Sequence, residues 1–159
     1  MKIAANLLDA VIAHALEDPK NEVCGVVAVD VEGAGEGRVR SAVDVHRAVN
    51  VHASPLKFEI DPAELLALYN AIDERDLELG AIYHSHVRSA PYPSQTDIGF
   101  AANWPGVEWI IVGLTDHEKF PASIVACPCS AMPSAKRNRS SGLRAGMNVG
   151  LCSSRAACR

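Results

Sequence analysis

Residues 79–97 read LGAIYHSHVRSAPYPSQTD, an apolar run that passes into two histidines, a polar loop and an aspartate. The run Leu79–Tyr83 predicts a buried strand, and a short helix is predicted after the loop. Because alternate side chains of a strand point the same way, His84 and His86 present two imidazoles on one face at the strand's end. Asp97 lies in the first turn of the helix, and the loop is long enough to fold it back towards them.

Two histidines and one carboxylate are typical of a catalytic zinc site, because they leave the fourth tetrahedral position open for water. Zinc lowers the pKa of such a water towards about 7 and makes hydroxide available at neutral pH. Each part also has a simpler interpretation. His84 and His86 could be a solvated pair, and Ser94 with Asp97 is a plain capping box for helix Ser94–Ala102. The two interpretations are compatible, since a capped helix start is a rigid mount for a ligand.

The other elements predict a mixed α/β domain. Apolar residues recur at helical spacing over residues 3–17, and Asp61-Pro62-Ala63-Glu64 is a helix start with a capping residue and a proline at the first helical position. Apolar or alternating runs predict further strands, over residues 23–31, 38–51, 58–60 and 107–114. We therefore expect an α/β fold, a mixed β-sheet flanked by helices.

Length and charge limit the class of protein. The 159 residues, 48% of them hydrophobic, suit one domain with a single apolar core. The formal net charge of -4 argues against generic nucleic-acid binding, which needs a basic face. The N-terminus lacks a long apolar signal core, and no apolar run approaches the length of a membrane span. We therefore expect no membrane partner, a cytoplasmic location and free thiols.

The end of the chain differs in composition from the rest. Residues 1–118 hold 8 Lys/Arg against 19 Asp/Glu, whereas residues 119–159 hold 7 Lys/Arg and no Asp/Glu. The second segment also carries four of the five cysteines and little helix or strand periodicity. We expect residues 1–118 to form the domain and residues 119–159 to be an atypical, dispensable tail. That tail is disordered, translated out of frame, or a genuine basic arm, and residues 122–126 could still pair as an edge strand.

The spacing of the polar residues resembles a known family. Glu22, then His84-Ser85-His86, seven residues, Ser94, two residues and Asp97 match the signature of the JAMM (MPN-plus) metallopeptidases position for position. The resemblance spans roughly residues 1–115. The chain is most similar to the small bacterial branch that includes the CysO-cysteine peptidases. The resemblance implies a JAMM/cytidine-deaminase-like architecture and a bound Zn²⁺.

The resemblance also implies a role for each residue. His84, His86 and Asp97 match the zinc ligands. Glu22 matches the catalytic carboxylate, which takes a proton from the zinc-bound water and returns it to the leaving amine. Ser94 matches the hydroxyl that steadies the tetrahedral oxyanion. Taken alone, Glu22 would be an ordinary solvated carboxylate.

Two departures from the family pattern bear on the substrate. Val87 stands where many eukaryotic members have Pro, and only 61 residues separate Glu22 from His84. That spacer leaves little room for the insertions that ubiquitin-specific members use to grip a diubiquitin. The resemblance then implies hydrolysis of a peptide or isopeptide bond at the C-terminal tail of a small ubiquitin-like sulfur-carrier protein, for example with release of cysteine. A metal-free MPN-type binding scaffold and a deubiquitinase-like isopeptidase are the alternatives.

Other polar residues have simpler interpretations. Cys24 lies in an apolar strand setting, which favours a packed core thiol over a nucleophile. Asn50 and Ser54-Pro55 fall at a strand end near the expected cleft, where a turn role and a substrate contact are both open. The His-x-Glu and Pro-Cys-x-x-Cys motifs of a zinc deaminase do not occur. The spacing of the later cysteines fits no second zinc site: Cys127, Cys129, Cys152 and Cys158.

Overall fold

The computed structural model of the protein describes residues 1–114 and the strands Ser123–Pro128 and Asn148–Leu151. Three helices and six strands are described, besides a short 3₁₀ turn at Gly35–Gly37. In chain order they are α1 Ala5–Glu17, β1 Cys24–Glu32, β2 Val39–Ala48, α2 Pro62–Asp73, β3 Glu78–His86, α3 Gln95–Ala101, β4 Glu108–Gly113, β5 Ser123–Pro128 and β6 Asn148–Leu151. The predicted fold class, a mixed sheet flanked by helices, is confirmed.

The strands form one sheet in the order β2-β1-β3-β4-β5-β6. β3 runs parallel to β4 and β5 parallel to β6, and the other neighbouring pairs are antiparallel. The chain passes from β3 to β4 through α3, because two parallel neighbours need a crossover connection. In the antiparallel pair of β1 and β3, Cys24 lies opposite His84. That register places the start of β1 beside the histidines at the end of β3.

Helices cover both faces of the sheet, and this explains why the central strands are apolar on both sides. The first six residues of β1 are all buried. One core lies under α1 and contains Val11, Ala15 and Tyr83. The other lies on the opposite face, where Ile72 of α2 and Ala101 of α3 pack with Trp109 and Phe58.

Two helix starts are capped as the sequence predicts. The Asp61 side chain accepts hydrogen bonds from the backbone N–H groups of Ala63 and Glu64, with Pro62 at the first helical position. Ser94 caps α3 and forms a reciprocal capping box with Asp97. The second cap fixes the start of the helix that carries the aspartate.

Some element boundaries differ from the prediction. β3 continues beyond Tyr83 through His86, because parallel pairing with β4 carries the ladder past the two histidines. Residues 58–60 form no strand, and only an isolated bridge joins Asn50 to Ile60. α1, at 13 residues, is the longest of the described helices, and none of the three is long and apolar enough to cross a membrane.

β5 and β6 fall within the segment expected to be a tail. β5 pairs with β4 over Ser123–Pro128, a range that overlaps the suggested edge strand at residues 122–126. The remaining residues of 119–159 lie outside the described part of the chain. The domain boundary at residue 118 and the dispensable tail stay predictions.

Candidate active site

The two histidines of β3 converge at the end of a buried strand. His84 is fully buried and His86 is 5% exposed. Their Nε2 atoms are 3.0 Å apart, so the alternation of the strand places both imidazoles on one face. The ring of Phe58 stacks on His84 with centroids 4.3 Å apart, which fixes the orientation of that imidazole.

Asp97 reaches the same point from the first turn of α3. Its Oδ1 lies 3.4 Å from Nε2 of His84, and its Oδ2 lies 3.5 Å from Nε2 of His86. The capping box holds the carboxylate, because the backbone N–H of Ser94 donates to Oδ2 at 2.7 Å. A helix start that also satisfies its own backbone donors therefore aims the carboxylate at both histidines.

His84, His86 and Asp97 fit a tetrahedral metal ion. Each of them offers a ligand atom, and these atoms lie within 4.8 Å of one another. Ligand atoms bound at about 2.0 Å in a tetrahedron stand about 3.3 Å apart. The two Nε2 atoms, 3.0 Å apart, are close to that value, and Asp97 brings Oδ1 to 3.4 Å from His84 and Oδ2 to 3.5 Å from His86. Two imidazoles and a carboxylate suit zinc and leave one coordination position open.

Burial and mutual hydrogen bonds shift the pKa values of all three residues. Burial lowers the pKa of His84, so its imidazole is neutral and has a lone pair to donate. Burial alone would raise the pKa of Asp97, but hydrogen bonds with the two histidines hold it well below its ordinary value. Burial also opposes a charge on His86, yet the hydrogen bonds with Asp97 and the Ala90 carbonyl outweigh it and raise the pKa.

Glu22 lies beside this cluster, two residues before β1. It is 6% exposed, and burial raises the pKa of its carboxyl to about 7, although the charge of His86 opposes the shift. Its backbone is held on both sides, because its N–H donates to the Ser54 carbonyl at 2.9 Å and its carbonyl accepts from the Asn50 amide at 2.8 Å. A desolvated carboxyl of this kind can both accept and release a proton near neutral pH.

The cluster opens into a cleft of about 160 Å³. Glu22, His86, Asp97 and Ser94 line it, so the predicted acid/base, two of the three predicted ligands and the predicted oxyanion donor share one cavity. The Ser94 hydroxyl oxygen accepts from the Asp97 N–H at 3.2 Å, and its own proton remains available to donate into the cleft. A metal site, a desolvated carboxyl and a hydroxyl donor together can support the hydrolysis of an amide.

A family model for prokaryotic homologs of the JAB domain matches residues 4–125, and this range includes every one of these side chains. The chain belongs to this family. The match covers α1 to β4 and the first residues of β5.

The JAB-domain assignment is supported by curated relatives. A desampylase of Haloferax volcanii is 35% identical over 127 residues, which cover 74% of this chain and 86% of the relative. A CysO-cysteine peptidase of Mycobacterium tuberculosis is 33% identical over 117 residues, covering 74% and 75%. A probable TtuB-protein conjugate cleaving protease of Thermus thermophilus is 34% identical over 112 residues, covering 70% and 68%.

Solved structures support the same fold. A protein from Desulfitobacterium hafniense, determined in solution, superimposes with a TM-score of 0.61 at 25% identity and covers 74% of this chain and 77% of its own. A second solution structure, from Salinibacter ruber, has a TM-score of 0.55 at 27% identity and covers 78% and 80%.

The JAB domain brings together all five residues singled out from its sequence. His84, His86 and Asp97 form the ligand cluster, while Glu22 and Ser94 line the adjoining cleft. Their roles as ligands, proton carrier and oxyanion donor stay predictions.

Sequence reasoning missed the residues that hold this site in place. Asn50 was left between a turn role and a substrate contact, and its side chain donates to Glu22 and Lys57 carbonyls. The Ala90 carbonyl and the Ser89 hydroxyl both bond to Nδ1 of His86, at 3.0 and 3.1 Å. The sequence shows that Asn50 follows a strand and that Ser89 and Ala90 are small loop residues. Neither feature indicates which group these residues would hydrogen-bond.

Proposed function

We propose that this protein is a zinc peptidase that hydrolyses the bond joining a small adduct to the C-terminal tail of a ubiquitin-like sulfur-carrier protein. The observation that carries the proposal is the convergence of His84, His86 and Asp97, whose ligand atoms lie within 4.8 Å of one another, beside the buried Glu22. A binding scaffold would need neither the ligand cluster nor the desolvated carboxyl.

Zinc held by His84, His86 and Asp97 would supply a Lewis acid and a water acidified to a pKa of about 7. Glu22 faces the same cleft, where its carboxylate takes a proton from the attacking water and delivers it to the leaving nitrogen. Ser94 donates its hydroxyl to the oxygen of the carbonyl under attack. Water leaves its oxygen on the carbonyl carbon, the amide C–N bond breaks, and the nitrogen departs as an amine.

The relatives and the shape of the cleft support this substrate class. Two relatives carry the names of what they cleave: one is a CysO-cysteine peptidase, and the other is a probable TtuB-protein conjugate cleaving protease. A glycine-rich tail has no Cβ atoms, so it fits a narrow cleft of about 160 Å³ and can lie beside exposed backbone as an added strand. The short spacer between Glu22 and His84 favours a small leaving group over a second ubiquitin-sized protein.

Mass spectrometry of the reaction products tests the proposal. The zinc-loaded protein is incubated with a carrier protein that ends in Gly-Gly-Cys, and with diubiquitin as the control substrate. We expect the carrier to lose one cysteine while diubiquitin stays intact. Cleavage of ubiquitin chains or ordinary peptides, with the carrier untouched, would show that the substrate class is wrong.

Two variants test the roles in the cleft. Glu22→Gln is nearly isosteric but cannot accept the proton, so it should bind zinc and lose turnover. Ser94→Ala should also keep zinc and lower kcat by about 100-fold, the effect of one oxyanion donor in other enzymes. Normal turnover by Glu22→Gln would exclude Glu22 as the base.

A further inference from the structure

Two cationic side chains, Lys57 and Arg88, line the cleft and are exposed. Neither forms an ion pair with a carboxylate in the described part of the chain. Elsewhere in the described residues, three arginines do form ion pairs with carboxylates: Arg38, Arg47 and Arg75. Residues 1–118 hold 19 Asp/Glu against 8 Lys/Arg, so acidic partners are abundant in this domain. Two cations without such a partner at the rim of one cleft can attract an anionic group of the substrate.

Arg88 stands on a segment that is fixed to the ligand cluster. It follows His86 by two residues, and the next two residues, Ser89 and Ala90, both bond to the His86 imidazole. The same loop packs close to β4, where a Cβ on Gly113 would lie only 2.5 Å from Pro91. The backbone of Arg88 is therefore held beside the predicted metal ligands, while its exposed side chain lines the cleft.

The backbone of Lys57 is held in a similar way, in the segment 55–58 that also lines the cleft. Its neighbour Phe58 is buried and stacks on His84. Its carbonyl accepts a hydrogen bond from the Asn50 side chain at 3.1 Å, and Asn50 also holds Glu22. Both cations are thus carried by residues that orient the reactive groups.

The charge of the cleft changes from its floor to its rim. Glu22 and Asp97 are buried carboxyls, at 6% and 4% exposure, whereas Lys57 and Arg88 are exposed. A substrate anion would be attracted to the cations of the rim. An amino acid released from a carrier tail has its free α-carboxylate next to the scissile nitrogen. A lysine side chain released from an isopeptide bond has no carboxylate near its nitrogen.

We propose that Arg88, assisted by Lys57, binds the free α-carboxylate of the leaving amino acid and so selects a C-terminal amino acid adduct over an isopeptide-linked protein. The inference rests on the proposed function, since it assigns the leaving group of that reaction. The planar guanidinium of Arg88 suits a carboxylate, which it can bind with two parallel hydrogen bonds. The carboxylate takes no part in the bond changes, so Arg88 is a specificity-determining residue.

The experiment compares two carrier substrates that differ in one group. Both end in Gly-Gly-Cys, one with a free carboxylate and the other with a carboxamide. For the wild-type protein we expect kcat/KM to be about 10- to 100-fold higher on the carboxylate, the usual effect of a hydrogen bond to a charged group. Arg88→Gln should bring this ratio to within about 3-fold of unity by slowing the carboxylate reaction, and Arg88→Lys should retain part of it.

Lys2→Gln is the matched control, because Lys2 is exposed, has no ion pair among the described residues, and does not line the cleft. It should keep the wild-type ratio, and zinc content should be equal in all variants. A wild-type ratio near unity, with both substrates cleaved, would overturn the inference and leave the proposed function standing. Equal slowing of both substrates by Arg88→Gln would also overturn it, since Arg88 would then contact the carrier. If neither substrate is cleaved, the proposed function itself is overturned.

Discussion

Ser85 lies between the two histidines of β3 and is fully buried. Its Oγ accepts a hydrogen bond from the Val23 backbone N–H at 3.0 Å, and its own N–H donates to the Val23 carbonyl at 3.0 Å. Ser85→Ala keeps the second bond and leaves the Val23 N–H without an acceptor next to Glu22. A buried donor without a partner costs about 1–3 kcal/mol, and the removed hydroxyl no longer needs desolvation, so we expect a net loss of about 1–2 kcal/mol in the free energy of unfolding.

Thermal unfolding of the zinc-loaded protein measures this loss. For a chain of this length, about 1–2 kcal/mol lowers Tm by about 3–8 °C. Val23 connects Glu22 to β1, so a shift of Val23 also moves the carboxyl, and we expect kcat to fall by about 10-fold. Zinc content should stay at the wild-type level, because Ser85 points away from the ligand face of the strand.

Ser85→Thr is the matched control because it retains a hydroxyl at the same position. Its Tm and kcat should stay closer to the wild-type values than those of Ser85→Ala. If Ser85→Ala melts within about 1 °C of the wild type and turns over at the same rate, the Val23 hydrogen bond does not support the site. Equal damage from Thr and Ala would point instead to packing around the strand.

Three further outcomes are expected. The protein should bind about one zinc per chain, and the double variant His84→Ala/His86→Ala should bind none by elemental analysis; stoichiometric zinc in that variant would contradict the site. Cys24 should resist iodoacetamide at pH 8 in the folded protein, because burial raises the pKa of its thiol to about 12, and peptide mapping that finds it alkylated would be inconsistent with a core thiol. We propose that residues 119–159 are dispensable, so a chain ending at residue 118 should have the same Tm as the full chain. If the Tm of that chain is lower while a chain ending at residue 128 keeps the full Tm, β5 belongs to the domain.

Much of the secondary structure could be predicted because it depends on neighbours in sequence. The caps at Asp61 and Ser94 are contacts within four residues, and the buried run of β1 is apolar because both faces of the sheet are covered. The end of β3 was harder to place. The apolar run predicts the strand only as far as Tyr83, with His84 and His86 at its end, whereas pairing with β4 places both histidines within it.

By itself, the sequence determined most helices and strands, the shared face of His84 and His86, and the position of Asp97 in the capped first turn of α3. Strand alternation and a capping box depend on local geometry. Only the tertiary structure decided that Glu22 stands beside them, since that depends on the register of β1 against β3, where Cys24 pairs with His84. The stacking of Phe58 on His84 and the meeting of Lys57 and Arg88 at one cleft depend on the same kind of contact. Such contacts join residues far apart in the chain, and packing of the whole core selects them, so no pattern in the nearby sequence specifies them.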